Sequence, residues 1–139
     1  MSLVIDGSVM LAWCFADETT PSIDKLVLGA ARSGATVPSI WRLEVANGLR
    51  SGVRRRRITS EMRDGLIADI IQMMFETDPH TDRHAWDMTL ALSDRHGLTP
   101  YDACYLELAM RRQLPIATLD RALAQAARAE GVQVLDALN

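Results

Sequence analysis

The hydrophobic positions of the chain form short continuous runs, separated by longer stretches in which apolar residues recur every three or four positions. Short apolar runs are typical of strands buried on both faces of a parallel sheet, whereas the longer spacing predicts amphipathic helices. The predicted strands are 3–5, 35–37, 76–78, 114–118 and 132–135. The predicted helices are 8–17, 23–32, 40–57, 60–75, 82–96, 100–112 and 121–130.

Short strands that alternate with helices predict an α/β fold, a three-layer α/β/α arrangement around a parallel sheet of about five strands. No repeat, low-complexity tract or linker interrupts residues 1–139, so we expect a single domain. Ser8 and Ser39 are the predicted N-caps of the first and third helices. Gly48 and Gly52 each weaken the third helix by about 1 kcal/mol relative to Ala, so packing must hold it.

Composition limits the classes of function. The formal net charge is -3, so there is no global basic field, and a polyanion would need a local patch or a metal ion. Cys14 and Cys104 lie in apolar helical stretches without metal-ligand spacing and indicate reduced core residues of an intracellular protein. Because the N-terminus lacks a signal sequence and no apolar run approaches about 18 residues, we expect a soluble cytoplasmic protein.

Three carboxylates follow strand ends or begin helices, the edge at which α/β sheets bind ligands. They are Asp6, Asp102 and Asp120, and a fourth, Glu44, lies within the third helix. Each has a structural explanation. Asp102 falls in a possible capping box after Thr99, and Asp120 is a plausible N-cap. Glu44 could be a solvent-facing helix residue, and Asp6 could help to cap the helix behind it, although Ser8 is better placed.

Together the four acids point to a metal. At about 5 Å spacing each pair would repel by roughly 3 kcal/mol at an effective dielectric of 20, so a cation is needed to offset the repulsion. An all-oxygen site suits Mg²⁺ or Mn²⁺. Such sites are typical of phosphoryl transfer.

Four segments carry a resemblance to a known family. They are Val4-Ile5-Asp6-Gly7-Ser8-Val9, Glu44-Val45-Ala46-Asn47-Gly48-Leu49, Tyr101-Asp102-Ala103-Cys104-Tyr105 and Ala117-Thr118-Leu119-Asp120. In order, spacing and chain length this sequence resembles PIN-domain ribonucleases, most of all the VapC toxins of bacterial toxin–antitoxin pairs.

The resemblance implies a metal-dependent endoribonuclease whose acidic quartet is Asp6, Glu44, Asp102 and Asp120. It also implies a homodimer and a cognate antitoxin that blocks the site. Metal would be held chiefly by the three aspartates, with Glu44 binding metal or orienting water. Many family members carry a further acid at the position of Ala122, so the number of metal ions stays open.

Other residues have two interpretations each. Ser8 and Thr118 could hydrogen-bond a metal-bound water or a phosphate, or they could cap a helix and end a strand. Asn47 could orient Glu44 or be a buried, satisfied amide. The run Arg54, Arg55, Arg56 and Arg57 could bind RNA phosphates or be a solvated helix end. Trp13, Trp41, Trp86 and the cluster 73–75 are expected in the core or in a groove for a partner.

Other classes of protein fit less well. A haloacid-dehalogenase-like phosphatase needs a second Asp two positions after the first, where this chain has Ser8. A response-regulator receiver needs an acidic pair and a late Lys, and the only Lys is Lys25. A non-catalytic PIN-like interaction module remains the main alternative.

Overall fold

The computed structural model describes residues 2–136, and the side chains of residues 2–135. These residues form five strands and seven α-helices. The strands are β1 (Leu3–Ile5), β2 (Ala35–Val37), β3 (Glu76–Thr77), β4 (Ile116–Thr118) and β5 (Val134–Asp136). The helices are α1 (Gly7–Cys14), α2 (Pro21–Ser33), α3 (Trp41–Arg54), α4 (Ser60–Gln72), α5 (Met88–His96), α6 (Pro100–Arg112) and α7 (Arg121–Ala129).

All five strands are parallel, in the order β3-β2-β1-β4-β5. The chain leaves β1 toward one edge of the sheet and later returns to the other side of β1 at β4. This reversal makes the β1–β4 boundary the topological switch point, where open α/β sheets have their ligand crevice. The register pairs Ile5 with Ala117, so the residues that follow the two strands are neighbours at that crevice.

The helices form two layers, as the α/β/α prediction requires. Helix α1 packs against α2 and α3, and α3 against α4. On the other face α6 packs against α5 and α7. Right-handed crossovers produce this division, because the chain reverses direction across the sheet between β3 and β4.

Two glycines of α3 explain how α1 and α3 approach so closely. A Cβ at Gly48 would lie 2.4 Å from Leu11 carbons, and one at Gly52 would lie 2.6 Å from Phe15. The packing that was expected to hold this glycine-containing helix is therefore the α1–α3 contact. At the other end of the same pair, a Cβ at Gly7 would lie 3.6 Å from Glu44 Cβ, so the first turn of α3 lies beside the start of α1.

Several local predictions were wrong. Asp6, not Ser8, is the N-cap of α1, and α3 starts after Ile40, which makes no side-chain capping bond. The N–H of Ser39 donates instead to Thr81 Oγ1 at 3.0 Å. The predicted helix 82–96 is a short 3-10 turn, Asp82–His84, followed by α5.

The predictions for the aromatic and methionine residues are partly confirmed. Trp41 and Phe75 are buried and meet edge to face at 5.7 Å, as expected for core residues. Trp86 is 93% exposed and Met74 is 86% exposed, so neither belongs to the core. Within residues 2–136 no helix is long and apolar enough to cross a membrane.

Candidate active site

Asp6 lies at the switch point, where β1 ends and α1 begins. It is 5% exposed, and its Oδ2 accepts hydrogen bonds from Thr118 Oγ1 (2.6 Å) and Ser8 Oγ (2.9 Å). Its Oδ1 accepts the Ser8 backbone N–H at 3.4 Å. Burial raises the pKa of Asp6 above its usual value, and these hydrogen bonds oppose the rise.

Ser8 and Thr118 connect Asp6 to the segment that carries Asp120. The Ser8 hydroxyl accepts the Leu119 N–H at 3.2 Å, and the Thr118 hydroxyl accepts the Asp120 N–H at 3.0 Å. Each hydroxyl thus donates to Asp6 and accepts from the backbone. Both are arranged to hold Asp6, and Thr118 also ends β4, as one of its two predicted interpretations requires.

Asp120 follows β4 and begins α7. Its Oδ1 accepts the N–H groups of Ala122 (2.9 Å) and Leu123 (3.2 Å), so the predicted capping role is confirmed. The cap uses one carboxylate oxygen, and the side chain also lines the acidic pocket described below. Capping and pocket lining are therefore combined in one residue.

Asp102 lies in the first turn of α6. The helix is capped by Thr99, whose Oγ1 accepts the Asp102 N–H at 3.2 Å, so the Asp102 carboxylate is not needed as a cap. Burial, followed by the charges of Asp120 and Asp6, raises the pKa of Asp102. The charges of the neighbouring aspartates thus act on Asp102.

Glu44 comes from the opposite face of the sheet, in the first turn of α3. The buried hydroxyl of Tyr105 donates a hydrogen bond to its Oε1. Burial raises the pKa of Glu44, and the charges of Asp6 and Asp102 raise it further. Tyr105 was not predicted as a functional residue, although it lies three residues after Asp102 and hence on the same helix face.

These four carboxylates line one pocket of about 310 Å³, which we call the acidic pocket. Its other lining residues are Gly7, Ser8, Leu11, Asn47 and Gly48. None of the four acids forms an ion pair within residues 2–136. Asn47 is exposed, so the alternative of a buried amide was wrong.

The donor set fits a hydrated divalent cation. All charged groups of the acidic pocket are carboxylates, whose oxygens suit Mg²⁺ or Mn²⁺. In the described part of the chain, no three His, Cys, Asp or Glu side chains are arranged to hold a metal ion directly. Mg²⁺ keeps several waters and commonly binds one or two carboxylates, so a wider arrangement remains compatible with it.

The four arginines of the run 54–57 have different surroundings. Arg57 pairs with Asp17 (2.7 Å) and Glu18 (2.6 Å), and its guanidinium lies 4.1 Å from the centre of the Phe15 ring. It therefore holds the end of α3 against the segment after α1. Arg54 and Arg55 line a different pocket, and Arg56 is exposed.

Comparison with known proteins identifies the family. The model of the PIN domain matches residues 3–129, nearly the whole chain. This chain belongs to the PIN domain family. The membership predicted from the four sequence segments is confirmed, and the acidic pocket lies within the matched part of the PIN domain.

Two proteins of Pyrobaculum aerophilum are similar to this chain. "Ribonuclease VapC3" is 27% identical over 125 residues, which cover 90% of this chain and 94% of the relative. The crystal structure of PAE2754 superposes with a TM-score of 0.70 at 19% identity, covering 97% of this chain and 90% of that one. The second likeness shows the fold, and it agrees with the parallel five-stranded sheet.

Proposed function

We propose that this PIN domain is a metal-dependent endoribonuclease that acts as the toxin of a toxin–antitoxin pair. The observation that carries the proposal is the acidic pocket itself, in which four carboxylates from four different elements meet at the switch point of the sheet. The similarity to a relative named as a ribonuclease supports the choice of RNA as substrate.

Asp6, Asp102 and Asp120 would hold Mg²⁺ or Mn²⁺. When bound, the cation supplies a Lewis acid that polarises the phosphodiester and activates water. Glu44 is held by Tyr105 and would bind the cation or orient the attacking water. Ser8 and Thr118 would fix the Asp6 carboxylate, because each hydroxyl donates to it.

The charge of the acidic pocket supports this assignment. Burial and mutual repulsion raise the pKa of Asp6, Glu44 and Asp102. A divalent cation would reverse this effect, since an opposite charge favours the ionised form of a carboxyl group. Without a cation, the buried and mutually repelling carboxylates would lower the stability of the fold. Such a cost is expected where the same groups are kept for binding or catalysis.

The proposal includes a protein partner. An apolar groove of about 200 Å³ lies between α3 and α4, lined by Trp41, Val45, Leu49, Ile67, Ile71 and Phe75 among others. Ile67 and Ile71 of this groove are exposed, so a partner segment with apolar side chains would cover them. We assign this groove to the cognate antitoxin, and a homodimer is the expected assembly of the free protein.

Cleavage of RNA by the purified protein tests the proposal. Wild type free of antitoxin should cut RNA from the host cell with Mg²⁺ or Mn²⁺, and EDTA should stop it. Asp6→Asn should be inactive, whereas Asp69→Asn, at an exposed position of α4, should behave as wild type. Sequencing the new RNA ends after induction in cells would give the target.

Three results would contradict the proposal: activity that survives chelation, activity that requires Zn²⁺, and activity that persists in Asp6→Asn. Absence of any cleavage, together with tight binding of a partner protein in the α3–α4 groove, would instead favour a non-catalytic interaction module.

A further inference from the structure

A second pocket, of about 380 Å³, adjoins the acidic pocket along α3. It is lined by Asn47, Arg50, Ser51, Arg54 and Arg55. Because Asn47 also lines the acidic pocket, the two pockets meet at its side chain. Arg50 lies outside the run 54–57, for which RNA binding was one of two interpretations, and it was not predicted to bind RNA.

Helical spacing places these residues on one face of α3. Arg50, Arg54 and Arg55 follow Asn47 by three, seven and eight positions, and Glu44 precedes it by three. With a rise of 1.5 Å per residue, Arg50 lies about 9 Å and Arg54 about 15 Å from Glu44 along the helix axis. The charge along this face changes from negative at the acidic pocket to positive at the end of the helix.

The arginines of this face are free to bind. Arg50, Arg54 and Arg55 are exposed, and none has a carboxylate within ion-pair distance in residues 2–136. Arg57 differs, because Asp17 and Glu18 already occupy its guanidinium. The second pocket therefore groups three arginines, without an ion-pair partner in the described part of the chain, directly beside the acidic pocket.

An acidic pocket in a chain of net charge -3 needs such a feature to attract a polyanion. The carboxylates repel the phosphates of a nucleic acid, and a local group of arginines offsets the repulsion beside them. A guanidinium can bind a phosphate through two parallel hydrogen bonds. Asn47 and Ser51 add neutral donors of the kind that contact phosphate oxygens.

We propose that Asn47, Arg50 and Arg54 form an RNA-backbone tract, which holds the phosphates that flank the bond positioned in the acidic pocket. The inference rests on the proposed ribonuclease function and assigns the surface that holds its substrate. Arg55 extends the tract, and Arg57 is excluded from it. The competing explanation is that cations at the C-terminal end of α3 only complement the helix dipole.

Binding measured without cleavage separates these explanations. In EDTA, the affinity for a fluorescein-labelled oligouridylate is measured by anisotropy at several salt concentrations. Arg50→Ala/Arg54→Ala should bind about tenfold more weakly, and the slope of log K against log salt should shrink by about 1.4, or 0.7 for each lost phosphate contact. Arg50→Lys/Arg54→Lys keeps the charge and should keep the slope.

The matched control is Arg32→Ala/Arg128→Ala. These two arginines lie exposed in the last turns of α2 and α7, without an ion pair in the described residues. The control therefore makes the same change in net charge, and it removes at least as much dipole complementation, since only Arg54 of the tested pair lies in the last turn of α3. The control should retain wild-type slope and affinity. Thermal unfolding of all variants checks that they remain folded.

The tract is overturned if Arg50→Ala/Arg54→Ala matches the control in slope and affinity, or if wild type shows no salt-dependent binding. Loss of stability with unchanged binding would favour the helix-dipole explanation. The proposed function is tested separately, because it fails if wild type binds the probe in EDTA and does not cleave RNA with Mg²⁺ or Mn²⁺.

Discussion

Tyr105 on α6 donates a hydrogen bond to Glu44 on α3, across 61 positions of the sequence. The two helices belong to opposite layers, so the bond crosses the carboxyl edge of the sheet. Tyr105 is fully buried, and burial together with Glu44 raises the pKa of its hydroxyl, which therefore stays protonated and donates. The carboxylate of Glu44 is thus held in the acidic pocket from the far side of the sheet.

Tyr105→Phe removes this donor with little change in shape. We expect the free energy of unfolding to fall by about 1 kcal/mol, since a half-buried carboxylate loses its partner. Because Glu44 would lose its orientation, kcat for RNA cleavage should fall while KM changes little. Urea unfolding and steady-state kinetics measure the two effects. Tyr101→Phe, at an exposed position of the same helix, is the control, and equal effects of both substitutions would contradict the positioning role.

The Thr118 hydroxyl is the second support of the acidic pocket. Thr118→Val keeps the size of the side chain and removes the bonds to Asp6 and to the Asp120 N–H. The free energy of unfolding should fall by about 1 to 3 kcal/mol, because the buried Asp6 carboxylate and the partly buried Asp120 N–H each lose a partner. Thr89→Val is the matched control. Thr89 Oγ1 is buried with no partner in the described residues, so its removal should be neutral or stabilising. Denaturant titration distinguishes the two variants.

The main features of the sheet were predictable because each depends on local sequence. Buried strands such as 3–5 and 35–37 appear as short apolar runs, and parallel order follows from their alternation with helices. Asp6 and Asp120 were placed at the edge because they follow strands. The rule that α/β sheets bind ligands at that edge then predicted that the two would be neighbours.

Long-range contacts were beyond the sequence pattern. Ser39 looked like an N-cap, but Thr81 accepts its N–H from 42 positions away. Arg57 has no acidic neighbour in the sequence, and in the fold it pairs with Asp17 and Glu18. Tyr105 was missed because its partner lies on another helix. In each case the deciding group comes from a distant segment, which local periodicity does not encode.

Replacing a glycine by alanine normally stabilises a helix, but the close approach of α1 and α3 predicts the opposite effect at Gly52. A Cβ at Gly52 would lie 2.6 Å from the buried ring of Phe15, whose face is covered by Arg57. Gly52→Ala should therefore lower the free energy of unfolding by about 1 to 3 kcal/mol through overpacking. Gly65→Ala, in open space on α4, should raise it by about 0.5 to 1 kcal/mol. Stabilisation by Gly52→Ala would show that the two helices can separate at no cost.

A buried ion pair joins the β3 edge to α6. Asp78 is fully buried and accepts two hydrogen bonds from Arg111, at 2.7 and 3.1 Å. Burial opposes ionisation of Asp78, but Arg111, with the hydrogen bonds from the His80 N–H and the Thr81 hydroxyl, outweighs it and lowers the pKa below the usual 3.8. A lowered pKa means that the charge stabilises the fold above about pH 4, and that this stability is lost as the pH falls through the folded-state pKa.

Asp78→Asn should therefore cost about 1 to 3 kcal/mol at neutral pH, since Arg111 loses one of its two buried carboxylate partners and keeps Glu107. The variant should also lose less stability than wild type on acidification. Chemical unfolding at several pH values, from about pH 3 to about pH 7, measures both the loss of stability at neutral pH and its dependence on pH. This interval includes the usual range of carboxyl pKa values. Asp69→Asn, which is exposed, should follow the wild-type curve. A parallel fall with pH in wild type and Asp78→Asn would contradict the account.

Asp102 gives the best test of charge repulsion in the acidic pocket. Asp6 caps α1 and accepts three hydrogen bonds, so Asp6→Asn changes more than charge. Asp102 does not cap a helix. Burial raises its pKa most, and the negative charges of Asp120 and Asp6 raise it further. Asp102→Asn therefore removes charge with the least change in other contacts.

Thermal unfolding of wild type, Asp102→Asn and Asp69→Asn, each in EDTA and in millimolar Mg²⁺, tests the metal site directly. In EDTA, Asp102→Asn should be more stable than wild type by on the order of 1 kcal/mol, because repulsion is relieved. Mg²⁺ should raise the melting temperature of wild type and Asp69→Asn, and raise that of Asp102→Asn less. A wild type indifferent to Mg²⁺ and Mn²⁺, beside a less stable Asp102→Asn, would contradict a metal site in the acidic pocket.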